Sequence, residues 1–96
     1  MQMKWTPQAA TDLQEVYTYI AKDSRQAAQQ QIRVIVNGIR SLRDHPHIGR
    51  SGRVSRTREL IIMGTSYIVA YAISQDELHI LAVLHTKRRW PKRFFP

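Results

Sequence analysis

The residues best suited to chemistry stand at the end of the chain, where His85 is followed by TKRRWPKRFFP. Arg88 and Arg89 can each hold a phosphate or carboxylate through two parallel N–H bonds, and Trp90, Phe94 and Phe95 can anchor a protein partner or stack on bases. The same composition also fits a tail folded back on the domain, its aromatic rings buried and its charges reaching water. Burial and contact are both open for Trp90, whereas Phe94 and Phe95, beside the terminal proline, point to a partner. His85 could titrate near neutral pH, although a histidine at a strand end is more often a structural hydrogen-bonding group. Glu59, beside Arg56 and Arg58, reads as a surface ion pair of small energetic weight. His45 and His47 sit two residues apart in a loop with no third ligand nearby, so no metal site is expected.

Three apolar runs precede that tail and must position it. Residues 59–63, 67–73 and 78–84 are short, rich in β-branched and aromatic types, and separated by Gly64-Thr65-Ser66 and by Ser74 to Glu77, which predicts a β-meander. Alternation places Tyr67, Val69, Tyr71 and Ile73 on one face and Ile68, Ala70 and Ala72 on the other. In the third run it sets Leu81 and Val83 against Leu78, Ile80, Ala82 and Leu84. Both faces are apolar, so both should be covered. The tail can cover part of one, and a partner chain explains the rest. Tyr67 and Tyr71 are expected as core aromatics with hydroxyls reaching the edge.

Upstream, residues 3–5 suggest an edge strand, ended by Thr6-Pro7 as N-cap and first turn of a helix. Leu13, Val16, Tyr17 and Ile20 recur at helical spacing to about residue 22. Asp23 and Ser24 then introduce a second helix over about 25–43, with Ala28, Ile32, Ile35, Ile39 and Leu42 on one side. Residues 44–52, DHPHIGRSG, read as a loop. The fold class is therefore α+β, with an N-terminal edge strand, a two-helix hairpin and a three-stranded antiparallel meander making a four-stranded sheet, closed by a basic tail.

Ninety-six residues suit a single domain spanning 1–96. With no cysteine, disulfides and thiolate metal sites are excluded. No run is long and apolar enough for a membrane span or a secretory signal, so a soluble cytoplasmic chain without membrane contact is expected. Fifteen Lys and Arg against seven Asp and Glu give a net charge of +8, an attraction for RNA, DNA or an acidic protein. Much of the excess follows residue 49, as Arg50, Arg53, Arg56 and Arg58 and then the tail.

The first helix ending in YI, followed by HPHIGRSGRV, RTREL, YIVAY and ILAVLHTKRRWP, resembles the RelE/ParE superfamily of toxins from bacterial type II toxin–antitoxin systems, over nearly the whole chain. The resemblance implies a cytoplasmic growth-arrest toxin without cofactor, neutralised by a cognate antitoxin. Ile61, Ile68, Leu81 and Val83 are the apolar strand residues expected to meet that antitoxin.

The superfamily divides by target. RelE-like members cleave mRNA on the ribosome, and ParE-like members poison DNA gyrase. RNA cleavage through the 2′-hydroxyl needs a proton acceptor, a proton donor and cations around the phosphorane. The strand positions where RelE-type enzymes carry basic residues fall here at Glu59, Ile61 and Ile68, and only the arginine after the third strand has a counterpart, Arg88. The Glu59 and His85 of a Glu/Arg/His alternative lie toward opposite ends of a simple meander, about 13 Å apart along the strands. The ParE-like reading is therefore preferred, with Arg88, Arg89, Trp90, Lys92, Arg93 and Phe94 as target-binding residues. The alternative is a ribosome-dependent mRNA endoribonuclease centred on His85 and Arg88, with Arg58 or Lys87 supplying charge. A third reading is a nontoxic nucleic-acid-binding module driven by counterion release.

Overall fold

The computed structural model describes residues 1–94; Phe95 and Pro96 lie outside the described residues. Strand β1 (Gln2–Trp5) leads into helix α1 (Pro7–Ala21), whose N-cap Thr6 accepts from the Ala9 N–H at 3.1 Å, with Pro7 in the first turn. Ser24 caps helix α2 (Arg25–Arg40) in the same way, through the Ala27 N–H at 3.1 Å. A single 3-10 turn, Ser41–Arg43, ends the hairpin. The strands β2 (Arg50–Ser51), β3 (Arg58–Ile61), β4 (Tyr67–Ser74) and β5 (Glu77–His85) follow.

They form a five-stranded sheet in the order β1-β5-β4-β3-β2, antiparallel except for the parallel pair β1 and β5. The α+β arrangement is as expected, but the sheet has one strand more than the four anticipated. That strand, β2, lies inside the stretch read as loop. Arg50 and Ser51 carry no apolar alternation to announce it; side-chain bonds from β3 hold it, as described below.

The meander is closed by Gly64 in the left-handed region (φ 81°) between β3 and β4, and by a two-residue turn with Gln75 at φ 55° between β4 and β5. Helices pack on one sheet face only. Val16, Ile35, Ile39 and Leu42 meet Val69, Tyr71, Leu78, Ile80 and Val83 there, with Tyr67 at the margin. On the opposite face Ala70, Ala72, Leu81, Ala82 and Leu84 form a second cluster, covered by Trp90 and Phe94.

The alternation expected for the third run is corrected by a bulge. Ala70 pairs with Ala82 but Tyr71 pairs with Ile80, leaving Leu81 as the extra residue of β5. The phase slips there, so Leu81 joins Ala82 and Leu84 on the tail face while Val83 turns to the helices with Leu78 and Ile80.

Candidate functional site

Glu59 is the most heavily bonded side chain on the tail face. It stands opposite Ala70 in the β3–β4 ladder and is 2 % exposed, so the expected surface pair with Arg56 and Arg58 is replaced by a buried carboxylate with other partners. Arg50 donates to Oε1 from Nη2 at 2.9 Å and Nε at 3.2 Å. Arg53 donates to Oε2 from its backbone N–H at 2.7 Å and from Nε at 3.1 Å, and to Oε1 from Nη2 at 3.3 Å. Burial alone would raise the Glu59 pKa. The bonds from the Arg53 backbone, the Arg53 and Arg50 side chains and the Arg53 charge outweigh it, and the carboxyl is held below its ordinary value. This carboxylate ties residues 50–53 to the sheet alongside the backbone pairing of β2 with β3.

A face of the Arg53 guanidinium meets the tail. Its central carbon lies 3.8 Å from the centroid of the Trp90 ring, a cation–π stack. Trp90 and Phe94 are half-buried against the second apolar cluster, so the expected partner-facing Phe94 instead covers the sheet. The Trp90 indole N–H is buried without a hydrogen-bond partner among the described residues, which subtracts about 1–3 kcal/mol from the closure. Lys87, Arg88, Arg89, Lys92 and Arg93 remain exposed. Phe95 lies outside the described residues.

Arg58, one of the cations of the nuclease alternative, is on the helix-side register opposite Tyr71. Its Nη1 donates to the carbonyls of Gly49 (2.7 Å) and His47 (3.2 Å), fastening the 44–49 loop. Tyr71 fastens the same loop from inside, accepting from the Gly49 N–H at 2.9 Å and donating to the Pro46 carbonyl at 2.8 Å. His45 and His47 are exposed on it.

His85 pairs with Tyr67 in the β4–β5 ladder, while Glu59 pairs with Ala70. Three residues along β4 and two strand spacings separate them, about 10 Å in each direction, so no acid–base pair forms. His85 Nδ1 accepts from the Lys87 N–H at 3.1 Å, and the ring packs edge-on against Tyr67 with centroids 5.4 Å apart. It does line an open cleft of about 420 Å³ together with Glu15, Tyr19, Tyr67, Lys87 and Arg88. Asp12 lies at the base of this cleft and of a second one on the tail side, bounded by Arg88, Arg93 and Phe94.

Asp12, on the buried stripe of α1, is absent from the site residues expected above. It is 2 % exposed, and its carboxylate accepts from the Val83 N–H at 3.0 Å and from Gln8 Nε2 at 2.7 Å. Strand β1 stops at the Trp5–Ile80 pair, so β5 runs on with an open edge. Thr6 satisfies the Ile80 and Leu81 carbonyls there, and Asp12 satisfies the Val83 N–H. The available signal was an acid on the stripe of Ala9 and Val16.

The four apolar residues expected at an antitoxin do not share a surface. Ile61 is 45 % exposed and pairs with the buried Ile68. Leu81 lies in the apolar cluster that Trp90 and Phe94 cover, and Val83, 2 % exposed, is part of the core against the helices.

Comparison with known proteins agrees with this architecture. The chain is 38 % identical over 90 residues to Y4kP of Sinorhizobium fredii (strain NBRC 101917 / NGR234), a toxin by its name, covering 94 % of this chain and 93 % of the relative. It superimposes on a chain of the chromosomal ParDE TA system from P. aeruginosa with a TM-score of 0.80 at 25 % identity, over 88 % of this chain and 95 % of that one. Residues 3–90 match the profile of the family described as "ParE toxin of type II toxin-antitoxin system, parDE". Overall fold and sequence thus agree, and the chain belongs to the ParE toxin family.

Proposed function

We propose that this chain, acting as one domain over residues 1–96, arrests bacterial growth by inhibiting DNA gyrase in the cytoplasm and is silenced by a cognate antitoxin. The observation that carries the choice of target is the dispersal of the groups RNA cleavage would need. Glu59 is engaged by Arg50 and Arg53, Arg58 by loop carbonyls, and His85 lies across the sheet from both. Family membership supports the toxin role, and the exposed Ile61 and Met63 near the end of β3 supply apolar surface for an antitoxin. Arg88, Arg89, Lys92 and Arg93 are the first candidates for gyrase contact. Trp90 and Phe94 then act by holding those cations in place.

Ribosome-dependent mRNA cleavage keeps one observation in its favour, the cleft in which His85 meets Lys87 and Arg88. Inducing the chain without antitoxin while labelling new DNA and new protein separates the two readings. Early loss of DNA synthesis, retained in His85→Gln, is expected. Early loss of translation with cut mRNA, abolished by His85→Gln in a chain of unchanged stability, would establish the nuclease instead.

A further inference from the structure

Two basic segments far apart in sequence are brought to one face by a single carboxylate. Glu59 gathers Arg50 and Arg53, and Arg53 stacks on Trp90 in the middle of the tail. The Glu59 cluster keeps one net positive charge. Lys87, Arg88, Arg89, Lys92 and Arg93 flank Trp90 in the tail and are exposed, and among the described residues none of these five has a carboxylate within ion-pair distance. Cations so placed repel one another, yet Trp90 and Phe94 fasten their backbone to the sheet. The cluster is thus built to hold positive charge at a surface and to exchange its counterions for those of a polyanion.

The aromatics say which kind. A single-strand site presents rings on which unstacked bases lie. Here Trp90 is covered on one side by Arg53, and Trp90 and Phe94 pack against the sheet. What remains outward is charge, which reads a phosphate backbone and no base. We propose that residues 50–53 and 87–93 form a docking surface for the phosphate backbone of duplex DNA, with Glu59 as its positioning residue. The choice of DNA over an RNA duplex rests on the gyrase reading; the backbone site itself does not.

The test is anisotropy of a labelled 20-base-pair DNA duplex titrated with the full chain, with no gyrase present, between 50 and 200 mM KCl. Engagement of about five phosphates makes affinity fall roughly 500-fold over that range. Arg88→Ala with Arg89→Ala weakens binding at least about tenfold and lowers the salt slope by about 2. Arg33→Ala with Arg40→Ala removes the same charge from exposed positions of α2 and changes binding less than about threefold. Glu59→Gln raises the net charge and still weakens binding, because the surface loses its organiser. If that variant fails to fold, Trp90→Leu leaves the charge unchanged and is expected to weaken binding likewise.

Equal losses in the two double-arginine variants, tighter binding in Glu59→Gln or Trp90→Leu, or equal affinity for single-stranded DNA would overturn the backbone site, and equal affinity for an RNA duplex would overturn the choice of DNA. Gyrase supercoiling is assayed separately with the same chains. Duplex binding without gyrase inhibition leaves this surface standing and removes the gyrase reading, and gyrase inhibition without duplex binding does the reverse.

Discussion

The Arg53 guanidinium lies between two partners, bonded to the buried Glu59 carboxylate on one side and stacked 3.8 Å over the Trp90 ring on the other. An arginine can do both because its donors lie in its plane and its faces stay free, whereas a lysine ammonium offers only a point charge. The relation joins three parts of the chain that pair weakly alone: a two-residue strand, the edge of the meander and a tail without regular structure. It also explains why a carboxylate sits in the interior of a basic protein. Without Glu59, the Arg50 and Arg53 side chains lose the acceptor that holds them along β3.

Glu59→Gln tests that claim through stability and pH. The amide cannot accept at both oxygens, so about 2 kcal/mol is expected to be lost at pH 7, reduced from a fully buried pair because both arginines are about half exposed. Because the folded-state pKa lies below the unfolded value near 4.5, the unfolded chain binds more protons between the two. The carboxylate's contribution is therefore complete above pH 4.5 and is lost as pH falls through the folded value. Urea midpoints from pH 7 to pH 3 should converge for wild type and Glu59→Gln. A constant gap would show that Glu59 is not the titrating group.

Arg53→Lys keeps the charge and removes the planar fork. The backbone bond to Glu59 persists, so the sheet should survive with a loss of about 1 kcal/mol. The tail is where the change is read. In a Trp5→Phe background Trp90 emission should shift to the red as its ring gains water. An unchanged spectrum would mean that packing on Ala70, Ala72 and Leu84 holds Trp90 without the cation.

Asp12→Ala removes the acceptor for the Val83 N–H in a place that water does not reach, and about 1–3 kcal/mol should be lost. Asp12→Asn keeps one acceptor oxygen and should recover most of it. Amide exchange supplies the local readout: Val83 should lose protection in Asp12→Ala before its neighbours in the β4–β5 ladder do. Equal exchange in all three chains would place the bond elsewhere.

The difference between Asp12 and Val16 illustrates what the sequence made legible. Both lie on the buried stripe of α1, and helical spacing predicts that a residue is buried but not what bond makes burial tolerable. Periodicity, caps and turn residues gave the helices to within about three residues and the three meander strands, because those features are local. Strand β2, the Glu59 cluster and the placement of Trp90 are not local. They depend on Arg50 and Arg53 meeting a carboxylate six to nine residues on, and on a ring 37 positions from Arg53. The Leu81 bulge is likewise invisible in an unbroken apolar run, and it is what separated Val83 from Leu81.

Tyr71 and Gly49 offer the last test, because their contact can be separated from the rest of the core. Tyr71→Phe keeps the buried ring and removes the hydroxyl that accepts from Gly49 N–H and donates to the Pro46 carbonyl. A buried N–H and a part-buried carbonyl of the 44–49 loop lose their partner, and about 1–2 kcal/mol should be lost. Gly49→Ala attacks the same contact from the other side. A methyl there would lie 2.5 Å from the Tyr71 hydroxyl, 2.7 Å from its ring and 2.9 Å from the Glu59 carbonyl, so the ring and loop must part. Each change breaks the Gly49–Tyr71 bond, and it can be lost only once. The double variant should therefore lose less than the sum of the singles, with a coupling of about 1 kcal/mol. Additive losses would mean that the loop is held by Arg58 alone, through the Gly49 and His47 carbonyls, and that the tyrosine hydroxyl merely fills space.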